Sequence, residues 1–212
     1  GRDDEVIDWA RQGIMKTSGW QTDQLYDLAC EAYLRQEQPV EVLALRRAQH
    51  ERTPASSTYR RLREAAESID AWPLERDGAR RALRERNRAG LIDALLSDGD
   101  DELAWQAATG TPDPELDENA WLKLAEARQR THPTDALPIY WRLLDTSLQT
   151  ADRRAYASAI RLLKRARDIA SAAGQTPQFD ARVLALREQH RRRPALIAML
   201  DKAKFVRPEP PA

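Results

Sequence analysis

One cysteine, Cys30, stands alone in 212 residues, so the chain cannot build an internal disulfide framework or a multi-cysteine zinc site. Glycine is scarce at eight, and aromatic residues make up 6%. The enrichment in Val, Ile, Thr and Tyr that strands want is missing. No apolar run approaches the roughly 20 residues that cross a bilayer, and no signal peptide is recognised. Net charge is absent as well. Thirty-four basic residues balance 34 acidic ones, which removes any bulk attraction to nucleic acid or to an anionic membrane. The expectation is a cytoplasmic protein without membrane association. The opening on Gly1 rather than methionine is read as the mark of an excised fragment or a tag scar.

What is present is helical. Ala, Leu, Arg and Glu dominate, and all are helix formers. Apolar residues recur at helical spacing, as in Val6, Ile7, Ala10 and Ile14, and in Leu25, Leu28, Ala29, Ala32 and Tyr33. Punctuation divides the chain into about a dozen helices. Pro39, Pro73 and Pro194 stand where a first turn tolerates proline, and Pro138 is read the same way, near the start of its helix. Asp117 is placed as an N-cap, and Gly174 as the residue just past a helix end. The organisation expected is one repeat domain over 1–206, with a break near 109–117 and a disordered Pro-rich tail at 207–212.

A period runs through these helices. "LYDLACEA", "YRRLREAAE", "WLKLAEAR" and "YASAIRLLK" each open on a large residue, namely Leu25, Tyr59, Trp121 and Tyr156. With Leu91 inserted, the steps are 34, 32, 30 and 35 residues. A step near 34 residues, made of two antiparallel helices, is tetratricopeptide-like. The fold expected is therefore all-α: tetratricopeptide-like helical-hairpin repeats stacked as an α-solenoid, in which neighbouring hairpins share a core none could form alone.

Little here looks catalytic. His50, His132 and His190 are far apart, without metal-ligand spacing, and His132 reads as a capping or solvent residue. The run "SDGDDE" lacks the ligand spacing of a calcium loop. Cys30 lies on an apolar stripe, which makes it a buried structural thiol rather than a nucleophile. No catalytic residue, cofactor or metal is assigned. Trp9, Trp72, Trp105, Trp121 and Trp141 sit beside Leu and Ala and are read as core, with one or two exposed on a peptide-binding face.

Charge, although balanced overall, is segregated. Residues 1–40, 41–93, 94–152 and 153–212 carry net charges of −4, +3, −8 and +9. The basic end invites a question. Arg187, His190 and Arg191 share a helix face, Arg192 and Arg193 follow them, and Arg161, Lys164 and Arg165 crowd the long helix before. A nucleic-acid footprint takes this form. Yet no aromatic residues interleave for base stacking and no reader motif is present. A solvated edge that meets an acidic partner is preferred. Leu196, Ile197, Met199 and Leu200 are then expected to close the stack against the helix bearing Val183 and Leu186.

The segments "LYDLACEAYLRQEQPVEVLALRRAQHE", "WLKLAEARQRTHPTDALPIYWRLL" and "REQHRRRPALIAMLDKA" resemble the C-terminal helical region of actinobacterial SWIM zinc-finger proteins, from about residue 20 to 205. In that family a zinc module of the CxCxnCxH kind precedes the helices and is thought to contact DNA or protein. This chain lacks that module, so no zinc ligand carries over. The resemblance implies a helical accessory domain. The function expected is a non-enzymatic scaffold for a protein or acidic peptide partner; the rival is a nucleic-acid-associated accessory domain using the basic C-terminal third. Oligomeric state is left open.

Overall fold

The computed structural model describes residues 1–110 and 116–205. The expected tail at 207–212, and most of the expected break, lie outside the described residues. Every regular element among the described residues is an α-helix, and none is long and apolar enough to cross a membrane. The helices gather into two units, Gly1–Glu115 and Leu116–Ala212.

The first unit holds α1 (Arg2–Lys16), α2 (Trp20–Arg35), α3 (Pro39–Arg52), α4 (Ser56–Glu67), α5 (Trp72–Arg86), α6 (Arg88–Ser97) and α7 (Asp101–Thr109). Each helix packs on the next, and α3 also meets α5 while α4 meets α6. Short connections force consecutive helices to run antiparallel, so alternate helices run side by side. Ile7, Ala10, Ile14, Ala29 and Cys30 are buried where α1 meets α2. Leu28, expected on that stripe, is 41% exposed.

The second unit holds α8 (Glu118–Arg128), α9 (Pro133–Ser147), α10 (Arg153–Ala172), α11 (Thr176–Gln189) and α12 (Pro194–Lys202). Asp117 caps α8 by accepting from the Ala120 amide at 2.7 Å, and Asp152 does the same for α10 through Ala155 at 2.8 Å. Pro138 departs from its expected place, because α9 already starts at Pro133 and Pro138 falls inside it. Its ring has no N–H to offer the Thr134 carbonyl one turn earlier.

Two local devices recur. Helices α2, α4, α6, α10 and α12 all end on a left-handed residue: Glu37, Asp70, Gly99, Gly174 and Lys204, with φ between 56° and 80°. In each case the next amide reaches back to the last helical turn, as Gln38 does to the Tyr33 carbonyl at 2.9 Å and Ala71 to that of Ala66 at 2.8 Å. The helix that follows often carries proline in its first turn, at Pro39, Pro73 and Pro177, where the missing N–H is no loss.

The second device is arginine. Arg52, the last residue of α3, donates to the carbonyls of Ile14 and Thr17 at the end of α1, at 2.5 and 2.8 Å. Arg86, the last residue of α5, donates to those of Glu51 and Arg52 at the end of α3, at 2.6 and 2.9 Å. In the second unit, Arg193 donates to the Leu148 carbonyl just past α9, at 2.6 Å. A guanidinium at a helix C-terminus satisfies orphan carbonyls and opposes the negative end of the dipole. The side chain of one helix end thus fastens the end of the helix lying alongside.

Proline 194 begins α12, and Leu196 and Leu200 are fully buried. Ile197 and Met199 are only half-buried. The expected packing partner changes: α12 lies against α10, not chiefly against α11. Its tie to α11 is an ion pair, Arg187 to Asp201 at 2.8 Å, helped by Phe205, whose ring lies 6.2 Å from that of Phe179.

Candidate functional site

The basic residues singled out from the sequence do not form one free surface. Arg187 turns inward, its side chain 10% exposed against Asp201. His190 ends α11 half-buried, and burial together with Arg193 lowers its pKa. Arg193 holds the Leu148 carbonyl, and Arg191 pairs with Glu188 at 2.8 Å. On α10, Arg165 is paired with Glu126 of α8, and Arg161 reaches the Ser158 hydroxyl at 3.3 Å. Lys164 and Arg192 are exposed and make no ion pair among the described residues. Arg165 also borders an open cleft of about 520 Å³ with Glu126 and Asp168, where acids answer the base.

A more distinctive surface lies on α1 and α2. Trp9 and Trp20 are 63% and 67% exposed. They border a groove of about 440 Å³ between the two helices, with Leu25 and Leu28 also lining it. Close packing there depends on Gly13, since a Cβ at that position would stand 2.7 Å from a Leu25 methyl carbon. Lys16 is the one charged lining residue, beside Gln12, Gln21 and Gln24, and it makes no ion pair among the described residues. Sequence reasoning placed Trp9 in the core because its neighbours are apolar, and it did not single out Trp20. The helical period held the clue: Ile7, Ala10 and Ile14 face inward, which turns Trp9 away from that stripe. Trp121 and Trp141 are buried as expected, each under a guanidinium: Arg142 at 4.0 Å and Arg182 at 4.6 Å from the ring centres.

The first unit also buries a polar network joining α4, α5 and the turn after α6. Asp98, with 7% of its side chain exposed, accepts from Tyr59 at 2.5 Å, Arg63 at 2.6 Å and Arg80 at 2.5 Å. Asp100 completes it by pairing with Arg80. Burial and then the Asp98 carboxylate push the Tyr59 hydroxyl far above its ordinary pKa. Burial opposes the charge on Arg80, yet Asp98, Tyr59 and Asp100 together hold it above its usual value. Two acids of the "SDGDDE" run, Asp98 and Asp100, are therefore held by arginine. Nearby, His50 is buried between the Thr58 hydroxyl at 2.9 Å and the Ala79 carbonyl at 3.0 Å, and burial lowers its pKa. His132 is exposed at the start of α9, beside the Thr131 hydroxyl.

Cys30 is buried, and desolvation raises its pKa, the opposite of what an activated thiolate needs. Among the described residues no group of three or more His, Cys, Asp or Glu side chains is placed to hold a metal ion. No family model, no curated protein and no solved structure matches the chain.

Proposed function

We propose that this chain is a non-enzymatic, tetratricopeptide-like helical-repeat scaffold that binds a protein or acidic peptide partner. The observation that carries this reading is the groove bordered by Trp9 and Trp20, two large aromatics left mostly in solvent beside an unpaired lysine. Exposed apolar surface rimmed by polar residues marks interaction sites, and tryptophan is enriched among the anchors of such interfaces. The repeat part of the reading is supported by the recurring left-handed turns and by the arginines that fasten alternate helix ends. Each unit is read as a short α-solenoid of hairpins. On the resemblance of its sequence alone, we read the chain as a helical accessory region like those of actinobacterial SWIM zinc-finger proteins, acting in the cytoplasm.

The rival is nucleic-acid association, favoured by one observation: Lys164 and Arg192 remain exposed and without an acid partner. Against it, Arg165, Arg187, Arg191 and Arg193 are spent on Glu126, Asp201, Glu188 and the Leu148 carbonyl. A phosphate-binding strip needs several cations free together. A pull-down from the source cell, with and without nuclease, separates the two. Partner capture that survives nuclease and is lost on Trp9→Ala/Trp20→Ala supports the scaffold. Capture abolished by nuclease, and by Lys164→Ser/Arg192→Ser, overturns it.

A further inference from the structure

We propose that the groove between Trp9 and Trp20 takes an extended, proline-bearing peptide with an acidic side chain, docked as a polyproline II strand. This rests on the protein-binding reading above and names the chemistry of its partner. The groove is short. Trp20, Gln24 and Leu28 lie in line along α2, a run of about 12 Å at ~1.5 Å per residue. That length matches about four residues of polyproline II, at ~3.1 Å each.

The lining separates an extended guest from a helical one. A docked helix satisfies its own backbone and calls for apolar ridges to interlock with. This groove instead offers Gln12, Gln21 and Gln24 between its aromatic walls, each side chain carrying two N–H donors and an acceptor oxygen. A polyproline II strand has no internal hydrogen bonds, so its carbonyls need such donors. Indole faces pack flat on pyrrolidine rings, and an indole N–H supplies one more donor. The proline strand is also ordered before it binds, which limits the entropy lost on docking.

Charge completes the choice. Lys16 is the one charged residue lining the groove, so a carboxylate in the guest answers it. A second copy of this chain fits poorly. An isologous two-fold contact through this surface sets the groove against its own copy, which offers no carboxylate in its lining to meet Lys16.

The test uses the whole chain and a blocked synthetic pentapeptide, Pro-Pro-Glu-Pro-Pro, followed by tryptophan fluorescence and calorimetry. Saturable binding is expected, weakened about tenfold or more by Trp20→Ala, as for loss of an interface anchor. Both Trp9 and Trp20 are exposed, so neither replacement threatens the fold. Lys16→Gln is expected to reduce affinity for this peptide to that for Pro-Pro-Gln-Pro-Pro, while leaving the latter unchanged. Equal binding of Ala-Ala-Glu-Ala-Ala overturns the proposal. So does preference for an amphipathic helical peptide, or concentration-dependent dimerisation that Trp20→Ala abolishes. The two readings fail separately. If a protein partner is captured through Trp20 while the proline peptide does not bind, the scaffold stands and this inference falls.

Discussion

Arg52 and Arg86, 34 positions apart, perform the same act on different helices. Each ends its own helix and donates two hydrogen bonds to carbonyls at the end of the helix alongside. Within the first unit a charged fastening thus ties the end of α3 to that of α1 and the end of α5 to that of α3.

Removal of that fastening is the first prediction. Arg86→Ala leaves the last carbonyls of α3 to water and is expected to lower unfolding free energy by about 1 kcal/mol. Arg84→Ala, at an exposed position of the same helix without such contacts, is expected to be neutral. Urea titrations of the two variants decide the matter; equal midpoints for both contradict the fastening role.

The closing helix makes a second prediction. Leu196→Ala or Leu200→Ala, at fully buried positions, is expected to cost about 2–5 kcal/mol. Among the neighbouring arginines, Arg191→Ser/Arg192→Ser changes stability little, because exposed ion pairs contribute about 0–1 kcal/mol. Arg193→Ser costs more than that double replacement, since it releases the Leu148 carbonyl. Thermal unfolding that ranks Arg193→Ser as the mildest of these changes contradicts the assignment.

The buried network supplies a third. Asp98→Ala leaves Arg80 largely buried with only Asp100 to answer it, and breaking such a pair costs about 3–5 kcal/mol. Tyr59→Phe removes one donor but keeps the ring packed against Trp72, 5.3 Å away, and is expected to cost less. Chemical denaturation of the pair gives the order directly.

Acid sensitivity is the fourth. Burial lowers the pKa of His50, and burial with Arg193 lowers that of His190. Each is harder to protonate in the folded protein than in the unfolded chain, so the unfolded chain binds protons first as pH falls. Stability is then full above the ordinary histidine value of about 6.5 and declines below it. His50→Gln/His190→Gln is expected to flatten the slope of stability against pH between about 6.5 and 5. An unchanged slope rules these histidines out as its source.

Cys30 gives the last prediction. Buried, and with its pKa raised by desolvation, it is expected to react with a thiol reagent far more slowly in the native protein than in urea. Equal rates in the two states contradict burial.

The helices themselves were legible because their signals are local. Apolar spacing, Asp117 as a cap, and the prolines at first turns act within a few residues. Pro138 shows the limit, since a proline near a start and one inside a helix differ only by where the previous turn begins. The turns at Glu37, Asp70 and Lys204 were not marked by glycine, and they adopt positive φ because the helix-closing hydrogen bonds hold them there. What side chains do at longer range was decided by tertiary structure alone. Arg187 and Arg191 are four residues apart and chemically identical, but α11 ends between them. Arg187 is buried because Asp201, fourteen residues onward, is brought over it by α12, whereas Arg191 meets only Glu188 on its own turn. Likewise Trp121 is covered and Trp9 is not, though both stand among apolar neighbours in the chain. Periodicity says which face of a helix is apolar. Whether another helix arrives to cover a residue at its margin depends on chain far away in sequence, and that placement leaves the groove on α1 and α2 open.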